Sequence, residues 1–251
     1  MVETRKETIM IMKTYALITA GGVGNRMGQD IPKQFMPVDN VPVIIYTLQA
    51  FQNHPEIDGI CVPCLAGWEV VLQSYANQYN ISKLNWICPG GDSNQESIYN
   101  GLKALEAAGC DPEDIVLVHD GVRPLVSEEI ISKNIEACKK YRYAVTGLVC
   151  KEAIMRLGHE TVQKMDIPRE QLIRTQTPHT YHLGDLLKAH EEARRKGISN
   201  TVASCTLLAE LGVDDQHWVV GSEKNGLKLT KPEDVELFLA LKKSNGLTWM
   251  K

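Results

Sequence analysis

The amino-acid sequence predicts a doubly wound, mostly parallel α/β sheet with a β-arm. Three observations carry that prediction. Short apolar runs alternate with helix-period segments from Tyr15 to Val149, the pattern of strands joined by crossover helices. Glycines, carboxylates and cations gather just after the runs, where such sheets bind ligands outside the carboxyl ends of their strands. Cys150 to Thr175 then breaks the alternation with short runs, a Gly158-His159 turn and Pro168, and reads as a β-rich excursion.

The elements follow in order. Tyr15 to Ala20 is an apolar run of strand length, and Val41 to Phe51 has apolar residues at helical spacing. Ile57 to Pro63 is a strand, Trp68 to Tyr79 a helix and Leu84 to Cys88 a third strand. Gly90-Gly91-Asp92-Ser93 opens a helix with Ile98, Leu102 and Leu105 on its inward side. Ile115 to Val118 is a fully apolar strand that ends at His119-Asp120. Ser127 is a good cap for a helix running to Tyr141, and Tyr143 to Val149 is the next strand. After the excursion, helices are expected at Leu183 to Lys196 and near Ser204 to Leu211. Trp218 to Val220 and Leu227 to Leu229 read as late strands, and Pro232 leads a last helix to about Lys243. With no internal repeat or low-complexity linker, residues 1–251 read as a single domain with a 1–12 tail and an arm at about 150–175.

Composition narrows the function. The hydrophobic fraction of 43% supports a sizeable core, and the formal net charge is −4. No basic run marks a nucleic-acid or membrane surface, so any positive field is local. Met1 to Met12 is too short and polar for a signal peptide, and no apolar run reaches membrane-spanning length. The expectation is a cytoplasmic chain. Seven scattered cysteines, an odd number, suit reduced buried thiols better than a disulfide framework. Cys61-Val62-Pro63-Cys64 spells C-x-x-C, but no second pair follows it.

The stretch most informative about chemistry is the exit of the first strand, Ala20-Gly21-Gly22-Val23-Gly24-Asn25-Arg26-Met27-Gly28, followed by Pro32-Lys33-Gln34. Glycines let the backbone turn sharply and approach a ligand, and its N–H groups can cradle an anion. Arg26 and Lys33 beside them suit a substrate with several negative charges, such as a triphosphate. A dinucleotide fingerprint would need its third glycine one residue earlier than Gly28, and an NTPase P-loop would need Lys-Ser or Lys-Thr after it. A plain strand-to-helix turn needs neither cation. Asp120, at the end of a buried strand and facing this loop, is placed to hold Mg²⁺, which takes one or two carboxylates plus phosphate oxygens. The alternative for Asp120 is a turn or helix-cap aspartate.

The loop resembles that of sugar-phosphate nucleotidyltransferases, A-G-G-x-G-x-R-M followed by P-K. Pro32-Lys33-Gln34-Phe35 narrows the resemblance to the cytidylyltransferases that act on 2-C-methyl-D-erythritol 4-phosphate or on ribitol 5-phosphate. Three further segments are similar to that family's patterns: His119-Asp120-Gly121-Val122-Arg123-Pro124 to H-D-x-x-R-P, Gln176-Thr177-Pro178 to Q-T-P, and Gly226-Leu227-Lys228-Leu229-Thr230 to N-x-K-[IV]-T. The resemblance covers about Tyr15 to Leu241. It implies a Rossmann-like nucleotidyltransferase that forms a CDP-linked product from CTP and a small polyol or sugar phosphate, releasing pyrophosphate. It further implies Mg²⁺ on Asp120 and a homodimer whose arms cross. By the same match, Arg26, Lys33 and Lys228 would be catalytic, while Ala20, Gly21, Gly22, Gly24, Gly91, Asp92 and Ser97 would bind the nucleotide. Arg123, Thr177, Thr201 and, from the partner's arm, Arg169 would bind the acceptor.

Four positions depart from the pattern. Asn94 stands where the family's G-G-x-x-R-x-x-S has arginine, and Glu152-Ala153 stands for an arm D-T pair. Gly226 takes an asparagine's place with Asn225 one residue early, and Val202 follows Thr201 where relatives tend to carry aspartate. The missing arm threonine at Ala153 and the missing aspartate at Val202 bear on which polyol phosphate is the acceptor. The alternatives are a transferase for another nucleotide and a nucleotide-binding relative without turnover.

Overall fold

The computed structural model describes residues 12–22, 31–164 and 167–243. β1 (Thr14–Thr19) leads to a small hairpin of β2 (Pro37–Val38) and β3 (Val41–Pro42), then to α1 (Val43–Asn53). β4 (Gly59–Cys64), α2 (Glu69–Gln78), β5 (Leu84–Pro89), α3 (Asn94–Ala107), β6 (Ile115–Asp120), α4 (Glu128–Tyr141) and β7 (Tyr143–Val149) continue the alternation. The arm holds β8 (Arg156–Leu157), β9 (Val162–Gln163) and a single 3-10 turn at Arg169–Gln171. β10 (Ile173–His182), α5 (Leu183–Arg195), α6 (Ser204–Glu210), β11 (His217–Val220), α7 (Glu223–Gly226) and α8 (Pro232–Lys243) complete the described chain.

Seven strands form one sheet in the order β11-β7-β10-β6-β1-β4-β5. β1 pairs in parallel with both β4 and β6, and β11 with β7, while β10 runs antiparallel between β6 and β7. The sheet is buried on both faces, as its apolar runs require. Successive residues of β1 show this: Ala16 and Ile18 join the cluster under α1, α2 and α4, whereas Tyr15 and Leu17 join the cluster under α3 and α5. Serine caps start two helices at their expected places, Ser93 accepting from Glu96 N and Ser127 from Ile130 N.

The parallel doubly wound sheet is the expected architecture, with three differences in detail. Residues 173–182 form a full sheet strand, although their sequence is polar. The polar groups are paired internally: Thr180 Oγ1 donates to Asn134 Oδ1 (3.2 Å), Asn134 Nδ2 to Thr146 Oγ1 (2.8 Å) and Thr146 Oγ1 to the Pro178 carbonyl (2.8 Å). Such a network lets Thr180 occupy a core strand with its hydroxyl paired. Leu227–Leu229 is not a strand. It follows the short helix α7, and its one sheet-like contact is Leu229 N to the Val122 carbonyl at 2.9 Å. Among the described residues of the arm between β7 and β10, regular structure is limited to the two-residue pair β8–β9 and the 3-10 turn.

Candidate active site

The parallel register sets Thr19 of β1 beside Asp120 of β6, so both strand ends open on the same side of the sheet. The exits of β1 and β5 touch there backbone to backbone. A Cβ on Gly90 would lie 3.0 Å from Gly21 Cα and 2.9 Å from the Cys64 carbonyl, so a side chain at Gly90 would force the two segments apart. Ser97 fixes the second segment by accepting from Gly91 N (3.0 Å) and donating to the Ser93 carbonyl (2.9 Å).

A cavity of about 400 Å³ lies over these strand ends. Its walls include Ala20, Gly21, Gly22, Lys33, Gly91, Asp92 and Ser97, together with Asp120 and Lys228. A second, smaller cavity of about 150 Å³ adjoins it and is lined by Arg123 and Thr177 together with the same Asp120 and Lys228. Asp120 therefore stands between the two spaces. Its Oδ2 accepts from Arg123 Nε at 2.8 Å and pairs with Lys228 Nζ at 3.0 Å, and its backbone N–H donates to Thr177 Oγ1 at 3.3 Å. Burial would push the Asp120 carboxyl up, but Lys228 and Arg123 outweigh it and hold the group well below the usual carboxylate range. Behind it, burial pushes His119 and His179 down to about 4, so both rings are neutral at pH 7.

Not every expected residue is gathered here. Gly24 and Arg26 lie outside the described residues. Thr201 lines neither cavity, and its N–H and Oγ1 both donate to Gln95 Oε1, at 2.9 and 3.0 Å. Arg169 is on the arm, where it donates to the Lys151 carbonyl (3.1 Å) and pairs with Glu170. Two residues outside the expected set help build the site. Gln34 Nε2 donates to the carbonyls of Ala20 (2.8 Å) and Gly22 (2.9 Å), pinning the exit of β1. Asn225, fully buried, donates to Gln176 Oε1 (3.0 Å) and the Thr177 carbonyl (3.1 Å). The signals were the glutamine after Pro32-Lys33 and the asparagine one residue before Gly226. The extra residue is taken up by α7, whose Gly226 would strike Gln176 Nε2 at 2.5 Å if it carried a Cβ.

Among the described residues no group of three or more His, Cys, Asp or Glu side chains could hold a metal by itself. One carboxylate beside a phosphate-sized cavity instead suits a cation held chiefly by its substrate's phosphates, as magnesium is.

A glycine turn, a carboxylate and lysines around a nucleotide-sized cavity, at the carboxyl ends of a doubly wound sheet, are the parts of a sugar-phosphate nucleotidyltransferase. The family model for 2-C-methyl-D-erythritol 4-phosphate cytidylyltransferase (IspD) matches residues 14–241, and the chain belongs to that family. It is 40% identical to proteins named ribitol-5-phosphate cytidylyltransferase from Lacticaseibacillus paracasei, over 90% of this chain and 96% of the relative, and from Vibrio parahaemolyticus, over 90% and 94%. The structure of 4-diphosphocytidyl-2C-methyl-D-erythritol synthase from Anaerococcus prevotii superposes with a TM-score of 0.77 at 25% identity, over 92% of this chain and 99% of that one. The reaction class is thus cytidylyl transfer from CTP to a sugar or polyol phosphate.

Proposed function

We propose that this cytidylyltransferase acts on ribitol 5-phosphate, giving CDP-ribitol and pyrophosphate, as a Mg²⁺-dependent homodimer. The observation that carries it is the junction at Asp120 and Lys228, which border both the larger and the smaller cavity. CTP would occupy the larger space and the acceptor the smaller, so the acceptor phosphate and the α-phosphate would meet at that junction. An acceptor phosphate oxygen attacks the α-phosphorus, the bond to the β-phosphate breaks, and pyrophosphate leaves. A phosphate monoester is already a competent nucleophile, so the protein's part is positioning and charge neutralisation. Lys33 and Lys228 would offset charge on the triphosphate, with Arg26 assigned the same role by its motif. Arg123 and Thr177 would hold the acceptor. Magnesium, when bound at Asp120, supplies charge neutralisation between phosphates.

Ribitol 5-phosphate is favoured by the two relatives at 40% identity and by the loss of the arm threonine at Ala153 and of the aspartate at Val202. The family description and the Anaerococcus prevotii structure favour 2-C-methyl-D-erythritol 4-phosphate as the second reading. The dimer is supported by the arm, where Leu157 is 83% and Val162 65% exposed on a segment with no core of its own. No helix among the described residues is long and apolar enough to cross a membrane, and we place the enzyme in the cytoplasm.

Pyrophosphate release with CTP and Mg²⁺ against both acceptors tests the reading. Turnover with ribitol 5-phosphate well above that with the methylerythritol phosphate supports it. The opposite preference assigns the second reading.

A further inference from the structure

One wall of the smaller cavity is a segment with little structure of its own. Residues 196–203 join α5 to α6 without helix or strand, and Asn200 turns the chain through the left-handed region at φ 62°, which asparagine tolerates. Val202, Ala203 and Ser204, the first residue of α6, line the smaller cavity, and Val202 lines the larger one too. Among the described residues no backbone hydrogen bond holds residues 199–202. Every side-chain hydrogen bond between residues 198–202 and the rest of the described chain is made with Gln95.

Gln95 is the second residue of α3 and only 7% exposed. Its Nε2 donates to the Ile198 carbonyl at 3.0 Å, and its Oε1 accepts from Thr201 N at 2.9 Å and from Thr201 Oγ1 at 3.0 Å. Both lone pairs of the amide oxygen and one amide proton are thus spent on this segment. The residues next to the tie are the ones at the site. Asn94 precedes Gln95, Val202 follows Thr201, and each lines both cavities. Neither is charged, so no ionic attraction draws the two sides together at these positions, and the Gln95 amide does so instead.

From this we infer that Gln95 is a positioning residue for the transfer reaction, its side-chain amide setting the wall from Val202 to Ser204 against which the acceptor is held. Thr201 is the anchor of that tie and not a substrate contact, in keeping with its absence from both cavities. The inference rests on the assignment of the smaller cavity to the acceptor and deepens it. Three consecutive wall residues of the smaller cavity depend on the tie, against Val202 alone in the larger, so losing it should weaken the acceptor far more than CTP.

The test compares wild type with Gln95→Ala, Gln95→Met, Gln95→Glu and Thr201→Val. Methionine keeps the volume and loses all three bonds, whereas glutamate keeps an oxygen for Thr201 and loses the donor to Ile198. KM for CTP and KM for the acceptor are measured with ribitol 5-phosphate and with 2-C-methyl-D-erythritol 4-phosphate. A wild-type preference for the second would defeat only the acceptor assignment, and the variants are then read with that phosphate. In Gln95→Ala and Gln95→Met the acceptor KM should rise about tenfold, with KM for CTP within about twofold and kcat within about threefold. Gln95→Glu should recover part of the loss, and Thr201→Val, missing one bond of three, should raise the acceptor KM only about threefold. Hydrogen exchange of the free enzyme gives a readout independent of any acceptor. The Thr201 amide should exchange at least about tenfold faster in Gln95→Met and stay near wild type in Gln95→Glu. Wild-type acceptor KM in Gln95→Met would make Gln95 a packing residue. An equal rise in both KM values, a greater loss in Thr201→Val than in Gln95→Met, or unchanged exchange at Thr201 would each overturn the inference.

Discussion

Lys228 Nζ lies 3.0 Å from Asp120 Oδ2, the same oxygen that accepts from Arg123 Nε at 2.8 Å. The lysine comes from the extended stretch after α7, the aspartate from the end of β6 and the arginine from the turn that follows it. Three chain segments thus place two cations and one anion at the border of two cavities.

Lys228→Ala removes the more exposed of the two cations, whose side chain is 40% accessible. Its attraction to Asp120 is screened and contributes little to folding. Its field on a phosphate at the junction is the larger effect. Turnover should fall about 10²–10³-fold, with circular dichroism and melting temperature close to wild type. Turnover within about threefold of wild type would remove Lys228 from the catalytic set.

The proposed Mg²⁺ site at the single carboxylate makes a prediction of its own. Chelation by EDTA should abolish pyrophosphate release, and added Mg²⁺ should restore it. Asp120→Asn keeps the shape but loses the charge, so the Mg²⁺ concentration for half-maximal rate should rise at least about tenfold. An unchanged Mg²⁺ requirement in that variant would assign the ion to the nucleotide alone.

Much of this site was legible in the sequence because it sits on parallel strand ends, and a strand end is marked by where an apolar run stops. Ala20, Gly91 and Asp120 are found in that way. β10 was not legible, because the group that satisfies Thr180 is Asn134 of α4, itself held by Thr146 of β7, both far away in sequence. Thr201 shows the same limit from the other side. Its motif position is kept, yet Gln95 of α3 takes both its donors. Asn225 was displaced in the motif, yet α7 carries it to the Gln176–Thr177 segment.

Gln34 holds the exit of β1 through two carbonyls, those of Ala20 and Gly22. Gln34→Ala leaves both without this donor, the Ala20 carbonyl at a buried position and the Gly22 carbonyl at an exposed one. Stability should drop by roughly 1–3 kcal/mol, read as a lower urea midpoint with an unchanged slope. KM for CTP should rise more than kcat falls, because Ala20 and Gly22 line the larger cavity, the space proposed for CTP. A stable variant with unaltered KM would reduce Gln34 to a packing residue.

Three buried histidines predict acid lability. Burial pushes His119, His179 and His190 down to about 4, while in the unfolded chain a histidine titrates near its ordinary value of about 6.5. Between these values the unfolded state binds more protons, so stability rises with pH. Their contribution is complete above about pH 6.5 and is lost as pH falls toward 4, at up to about 1.4 kcal/mol per pH unit for each ring. Urea unfolding at pH 7.5, 6, 5 and 4.5 (values spanning that window) checks the trend. A flat midpoint from pH 7.5 to 4.5 would mean that the rings gain partners on protonation.

The arm makes the sharpest prediction about assembly. Arg169 lines neither cavity of its own chain, and the exposed Leu157 and Val162 lie on the same arm. If the arm reaches the neighbouring subunit, each site takes Lys33 from one chain and Arg169 from the other. Lys33→Ala and Arg169→Ala should each be nearly inactive alone. Unfolded together and refolded as a mixture, half of the dimers would be hybrids, each with one site holding both native residues, so activity should recover to about a quarter of wild type. Leu157→Asp should shift the enzyme to a monomer on size exclusion and lower turnover without melting the sheet, because its side chain adds nothing to its own chain's core. A mixture no more active than its components would mean that Arg169 serves the site of its own chain or none.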